Sequence, residues 1–299
     1  MAGVINQGNW SYFVQKDLSM QFAVRYGKQT SMIPALFTAK TPDQAIHYEA
    51  LEGGLGQMPT FDGEVAYDDA NQSYRKSTQE IEYAYGIKVS KKFRRADLYG
   101  VVQRKVRELA SVVWNRKESI AAGIFNGAFS TTLVADGLSL CNAAHTSDQD
   151  GGVNQSNTGT LSFSAPNVEA TRQAMIAFKT NRGSIRTFFP DMLIVPTALE
   201  EKAFELIKSK GKVDTAMNNP NFHEGKYRLA VWHNFLTSPK SWFFVNEEEM
   251  KEYLYFLEWN PVEFFYAGDM DTLTSKHAAY MSNNVTASTW EWVYGQQGS

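Results

Sequence analysis

Hydrophobic and polar positions divide the chain into stretches of different period. From Ile81 the two kinds alternate strictly: Ile81, Tyr83, Tyr85, Ile87 and Val89 share one face, and Glu82, Ala84, Gly86, Lys88 and Ser90 share the other. A period of two with one apolar face predicts a strand buried on that face. Upstream, Gly53, Gly54, Gly56, Pro59 and Gly63 forbid a long helix and mark turns. Glycine-rich turn and strand together predict a long β-hairpin across residues 47–92. An isolated two-stranded ribbon is marginal in water, so this one needs a partner surface.

The period then changes. Over residues 96–129, Leu98, Val102, Val106, Leu109, Val113, Ile120 and Ile124 recur at helical spacing, broken once at Lys117. Gln103, Arg104, Lys105, Arg107, Glu108, Asn115 and Arg116 lie opposite. This predicts an amphipathic helix about 50 Å long. Asp97 stands as N-cap or first-turn acid, and Gly127 as its stop. Residues 1–45 hold only short apolar patches (Tyr12, Phe13, Val14; Phe22, Val24, Tyr26; Met32, Ile33, Leu36, Phe37). They predict an arm with one or two short helical turns lying on another surface; an ordinary N-terminal helix pair fits the same pattern.

Small and polar residues dominate 136–162 and predict an exposed, mobile loop. Pro166 opens a periodic helical segment reaching Lys179, with Val168, Met175, Ile176 and Phe178 on its apolar side. Met192, Leu193, Ile194 and Val195 form a wholly apolar run, the mark of a central strand, ended by Pro196. Thr197 and Glu200 have the spacing of a capping box for a further helix that ends near Lys208, Lys210 and Gly211. Residues 212–240 are irregular, with Asn218, Asn219, Pro220, Asn221 and Gly225. Short β-like runs follow at 229–232, 242–245, 253–257 and 262–266. Trp290, Trp292 and Tyr294 alternate in an expected final strand that returns to the helical part. The fold class is α+β with mixed order, without a repeat of fixed period.

Composition narrows the function. The 299 residues are 43% hydrophobic and 13% aromatic, enough to build more than one compact subdomain. A formal net charge of -3 argues against a dedicated nucleic-acid binder, which usually shows a basic face. The single cysteine, Cys141, cannot form an intrachain disulfide. Residues Met1 to Asn6 lack the basic and apolar regions of a signal peptide, and no run approaches the roughly 20 apolar residues of a membrane span. Folding in a reducing cytoplasm, away from membranes, is the expectation. Glycosylation matches at Asn71, Asn154 and Asn284 are then chance.

Candidate chemistry is sparse. His47, His145, His223, His233 and His277 show no metal-ligand spacing. Cys141 and His145, four apart, are two potential ligands where zinc wants three or four from the protein. A Cys141 nucleophile with His145 as base would stand on a flexible loop with no oxyanion device. Gly53 to Gly56 fits neither a dinucleotide nor a P-loop pattern. Asp68 with Asp69, and Glu247 to Glu249, read as solvated surface; the aromatic residues lack interleaved basic ones and read as core and intersubunit packing. No catalytic residue, cofactor or metal is assigned.

The order of elements resembles the major head proteins of Mu-like tailed phages, which have the Hong Kong 97-type (HK97-like) capsid fold. The likeness covers most of the chain. Asp136-Gly137-Leu138-Ser139-Leu140-Cys141-Asn142-Ala143-Ala144-His145 resembles the family's segment after the spine helix, with Cys141 where phenylalanine is usual. Pro190 to Pro196 resembles its strand-to-helix Leu-Val-Pro motif, and Trp290 to Gly295 its C-terminal aromatic strand.

The resemblance implies an N-terminal arm over 1–46, an extended hairpin loop over 47–95, and a spine helix with the following loop of a peripheral domain over 96–165. It further implies a mainly axial domain over 166–260 and strands returning to the peripheral domain over 261–299. It implies pentamers and hexamers of this chain in an icosahedral head around double-stranded DNA, assembled in the bacterial cytoplasm. Portal, scaffolding and decoration proteins would be its other partners, any scaffold being a separate protein because the chain opens directly on the arm. Some relatives crosslink through a Lys–Asn isopeptide bond; Lys76, Lys88, Lys91 and Lys92 lie on or near the hairpin, but no partner asparagine is evident and crosslinking is not expected. The rival readings are an encapsulin-like compartment shell, a soluble enzyme using Cys141 and His145, and a tail or decoration protein, which would lack the spine helix.

Overall fold

A computed structural model describes the chain apart from residues 1–6, 55–57, 59, 66, 68–71, 98–99, 148–152, 187–188, 212–218, 270 and 299. Gly56, Pro59, Asp68, Asp69, Asn71, Leu98, the 148–152 part of the loop and Asn218 therefore lie outside the described residues, as do the side chains of Tyr12, Phe13 and Val14.

The chain opens with helices α1 (Gln7–Gly27) and α2 (Ile33–Leu36) and strand β1 (Thr38–Lys40). Strands β2 (Ile46–Glu52), β3 (Gln72–Gln79) and β4 (Glu82–Ser90) follow, then helices α3 (Lys91–Arg95) and α4 (Val101–Asn126). Next come β5 (Thr158–Gly159), α5 (Ala165–Ile176), β6 (Met192–Val195), a 3-10 turn (Thr197–Leu199), α6 (Glu200–Lys208), β7 (Arg228–Val231) and β8 (Trp242–Val245). Helix α7 (Glu247–Tyr253) and strands β9 (Leu254–Asp269), β10 (Thr274–Ala287) and β11 (Val293–Gln296) close the fold.

Helix α4 is the spine. Its 26 residues span about 39 Å, shorter than the sequence pattern predicts. The reason lies at its start: Gly100 sits at φ 63, outside helical geometry, and Asp97 reaches forward to accept the backbone N–H of Val101 at 2.8 Å and of Val102 at 3.0 Å. The predicted acid thus caps the helix from four residues before its first. Val102, Val106, Leu109 and Val113 pack into one apolar cluster with Leu18 and Phe22 of α1 and Ala279 and Met281 of β10. Ala121, Ala122, Ile124 and Phe125 pack into a second, larger cluster around β6 and β8. One helix therefore serves two cores.

The N-terminal region holds a 21-residue helix, α1, followed by the four-residue α2, nearer to the helix pair than to an arm with one or two short turns. Leu18 and Phe22 bury themselves on α4, and the Phe22 ring meets Phe264 at 5.0 Å. The surface that covers them, not the local sequence, stabilises the helix.

Two sheets and a ribbon complete the fold. Strands run β1-β9-β10-β4 in one sheet, β5-β11-β8-β6-β7 in the other, and β2-β3 alone. The 81–90 strand pairs with β10, from Ser90 opposite Thr274 to Glu82 opposite Ser282, and takes no part in the hairpin. As an edge strand it is covered only in part: Val89 is buried, while Ile81 and Tyr85 are exposed where burial was expected. The two short runs at 253–257 and 262–266 are one 16-residue strand, β9. Pro261 is tolerated there because pairing slips around it, Asn260 facing Ser282 and Glu263 facing Tyr280.

Strand β6 is central as predicted, parallel to β7 and antiparallel to β8, with all four residues buried. The capping box at Thr197 is not made: a 3-10 turn precedes α6, and the Thr197 hydroxyl lies 3.4 Å from His233 Nδ1. The closing segment packs Trp292 on Phe125 at 6.2 Å, reaching the end of α4, while its backbone joins the five-stranded sheet beside β5 and β8.

Candidate functional site

The β2-β3 ribbon stands apart from both cores. Glu49 pairs in register with Lys76 and His47 with Thr78, and these residues with Tyr74 line the half-buried or buried face turned to the body. No residue of β2 or β3 belongs to either apolar cluster. Polar contacts moor the ribbon instead. Lys76 Nζ donates to the carbonyls of Leu133 at 2.7 Å and Ala287 at 2.9 Å. Glu49 accepts from the Ser288 hydroxyl, and Tyr74 donates to the Thr146 carbonyl at 3.2 Å.

Beyond the root, the connection between β2 and β3 exposes large apolar side chains. Met58 is 97% exposed, Tyr67 91%, Phe61 75% and Val65 62%. Apolar surface of this kind marks a contact with something outside the chain. Charge adds to the picture: between Lys40 and Arg75 the sequence carries Asp43, Glu49, Glu52, Asp62, Glu64, Asp68 and Asp69 and no lysine or arginine.

The predicted loop after α4 is not an exposed one where its chemistry lies. Leu140, Cys141, His145 and Asn157 are all buried. Asn157 organises the segment: its Nδ2 donates to the carbonyls of Leu140 at 2.7 Å, Val293 at 3.1 Å and Trp290 at 3.3 Å, and its Oδ1 accepts from Asn142 N–H at 2.8 Å. His145 is held at both ring nitrogens, Nδ1 at 2.6 Å from Asp136 and Nε2 at 3.2 Å from Asn157 Oδ1, and stacks on Trp290 at 4.5 Å. Sequence reasoning missed this because the polar residues that suggested solvent are instead satisfied by one another and by backbone carbonyls.

Cys141 is packed, not poised. Burial pushes its thiol far above the usual range, and a Cβ at Gly295 would lie 2.5 Å from its sulfur. A nucleophilic cysteine needs the opposite shift and some exposure. His145 is already engaged with Asp136 and Asn157. Among the described residues no group of three or more His, Cys, Asp or Glu could hold a metal ion. His47, His223, His233 and His277 are scattered: His47 faces Glu49 at 3.3 Å, His223 faces Tyr227 at 3.2 Å and His233 faces Glu200 at 3.7 Å.

The acidic run Glu247 to Glu249 is not simply solvated. It fills the first turn of α7, where Asn246 caps the Glu249 N–H at 2.9 Å. Glu247 pairs with Arg228 and Lys251, each at 2.6 Å, and Glu249 with Arg186 at 2.8 Å, while Arg186 also meets the buried Glu291. Of the four lysines near the hairpin, Lys76 is tied to two carbonyls; Lys88, Lys91 and Lys92 are exposed on β4 and α3.

Comparison with known proteins bears on the fold and the family. No curated protein matches the sequence. Among solved structures, the capsid of bacteriophage JBD30 decorated with minor capsid protein trimers matches at 13% identity and a TM-score of 0.58, covering 70% of this chain and 92% of that one. The capsid of cyanophage P-SCSP1u matches at 8% identity and a TM-score of 0.59, covering 91% and 89%. The virus-like particle from Pyrococcus furiosus matches at 9% identity and a TM-score of 0.56, covering 94% and 98%. At such identities these likenesses establish the Hong Kong 97-type fold. The family model described as phage capsid protein matches residues 74–290, from β3 to the turn before β11. The chain belongs to the phage capsid protein family and is a structural shell subunit, a major capsid protein.

Proposed function

We propose that this subunit forms the pentamers and hexamers of an icosahedral phage head enclosing double-stranded DNA. The observation that carries the reading is the hairpin: Met58, Phe61, Val65 and Tyr67 are exposed on an element its own chain does not cover. A neighbouring copy is the natural cover, and contacts passed from copy to copy around an axis close into rings. We divide the chain as arm 1–46, hairpin loop 47–95 (its paired ribbon ending at Gln79, with β4 joined to the body sheet), spine and following loop 96–165, mainly axial domain 166–260 and returning strands 261–299. We set it beside the Mu-like head proteins on the Asp136 to His145 segment, whose two ends form the buried pair described above. Portal, scaffolding and decoration proteins would be its partners, the last in the manner of the JBD30 capsid with its minor capsid protein trimers. Assembly would take place in the host bacterial cytoplasm.

The second reading is an encapsulin-like compartment, a closed shell of the same fold; the likeness to the virus-like particle from Pyrococcus furiosus supports it no better than the phage capsids support the first. Negative-stain microscopy of the purified chain, followed by analysis of particle contents after expression with the neighbouring genes, separates the two. Closed shells filled with DNA support the phage head. Shells filled with a cargo enzyme support the compartment, and a protein that stays monomeric at high concentration excludes both.

A further inference from the structure

The hairpin is joined to the body by few contacts, and their geometry has a consequence. Lys76 Nζ touches two carbonyls from distant parts of the chain, Leu133 in the turn after α4 and Ala287 at the end of β10. On the paired strand, Glu49 stands opposite Lys76 and accepts from Ser288, the residue after Ala287. His47, two residues before, lies 3.3 Å from Glu49. One amine and one carboxylate thus fix the ribbon root to two separate segments of the body, beside the Tyr74 hydroxyl, which reaches the Thr146 carbonyl at 3.2 Å. Two strands linked only to each other twist and swing readily, so the direction in which the tip points depends on where the root is fastened.

We infer that Lys76 and Glu49 form a clasp that sets the angle at which the hairpin leaves the subunit, and so positions its apolar tip for the neighbouring copy. This rests on the assembly role proposed above. Lys76 is a positioning residue: it meets no partner itself and acts through the ribbon it holds. The clasp can open without detaching the hairpin. Trp259 Nε1 donates to the Gln44 carbonyl at 2.6 Å and Asn284 Nδ2 to the Gln79 carbonyl at 2.7 Å, so the base of the ribbon remains tethered as a pivot. Because the clasp uses backbone carbonyls and one hydroxyl, releasing it opens no cavity in either core. A subunit that changes the pitch of its hairpin between capsomers of different curvature could do so here without repacking.

The test is Lys76→Met in the 299-residue chain, which removes the donors and keeps most of the stem. Three readouts are compared with the parent: thermal unfolding, hydrogen exchange over 46–52 and 72–79, and the size distribution of assembled particles by microscopy. The expected result is an unchanged unfolding midpoint, exchange in the ribbon faster by about tenfold, the worth of a lost hydrogen-bond anchor, and a broader spread of particle diameters. Exchange and particles identical to the parent overturn the inference. Ser288→Ala frees Glu49 without touching the lysine and is expected to act in the same direction with smaller effect; it decides the matter should Lys76→Met fail to fold, and no change in ribbon exchange then counts against the clasp. If the parent chain forms no shells, the assembly role fails, while the exchange comparison still reports on the clasp.

Discussion

The five-stranded sheet and the β2-β3 ribbon are built on opposite rules. In the sheet, β6 and β8 are buried along their whole length, and Phe125, Phe243, Trp232 and Trp292 interlock edge to face around them. Its sequence is a continuous apolar run, as expected of strands covered on both faces. The ribbon alternates exposed and half-buried positions, touches the body through polar atoms, and leaves its most exposed apolar residues, Met58, Phe61, Val65 and Tyr67, in the connection beyond β2. The contrast teaches where each part gets its stability. The sheet is stabilised by its own chain; the ribbon waits for another surface.

The sharpest way to break that contrast is to damage the sheet. Trp292 is fully buried, donates Nε1–H to the Thr289 carbonyl at 2.8 Å and packs edge-on against Phe125. Trp292→Ala leaves a cavity and is expected to cost about 3–5 kcal/mol of subunit stability, measured by urea unfolding of unassembled subunits. A cost near zero would mean that the sheet, too, depends on neighbours for its packing.

What the sequence revealed follows the same division. The spine and β6 could be read because burial selects apolar residues, at helical spacing from Val102 to Ile124 and without a break from Met192 to Val195; the alternation in β4 marked a strand, although Val89 is the one residue of it that is buried. The pairing partner of β4 could not, since alternation reports a covered face and carries no record of which strand lies alongside. The first half of the hairpin, Ile46–Glu52, alternates polar with half-buried residues and gives little apolar signal. Buried polar groups were the largest blind spot. Glu118 lies at 1% exposure among Ser31, Met32 and the Trp232 indole, and Asn157 and His145 are equally hidden, yet each looks like surface in a one-dimensional pattern. Only the three-dimensional arrangement supplies their partners. The surroundings of Cys141 were not legible: read as part of a mobile loop, the residue is sealed in the core.

A milder probe shifts the mooring while sparing both cores. Burial pushes the Lys76 pKa down from 10.5 to about 8, against the opposing pull of Glu49. The docked amine therefore binds its proton less readily than a released one. Between about pH 8 and 10.5 the released root carries more protons, so raising the pH through this window favours the docked root; below pH 8 both forms are charged and the balance is flat. Solvent reaching the half-buried site weakens the full effect, leaving an expected gain in ribbon protection of about tenfold. Hydrogen exchange across that window, corrected for intrinsic rates, measures it. Glu49, itself 3.3 Å from His47, is the charged group that acts on the amine, and Glu49→Gln should lower the midpoint of the change by removing the charge that favours protonation. Protection that falls as pH rises would place the lysine outside the mooring.

The smallest expected effect on the lone subunit is also the most telling. Met58 and Phe61 are exposed in the single chain, so Met58→Ser with Phe61→Ser should change unfolding free energy by less than about 0.5 kcal/mol. The same pair should sharply reduce the yield of closed particles, because the apolar surface lost is what a second copy would cover. Both numbers come from one preparation, urea unfolding before assembly and particle counting after it. A stability loss approaching that of Trp292→Ala would mean that the tip is folded against its own chain, and the division between a self-sufficient sheet and a ribbon built for its neighbour would not hold.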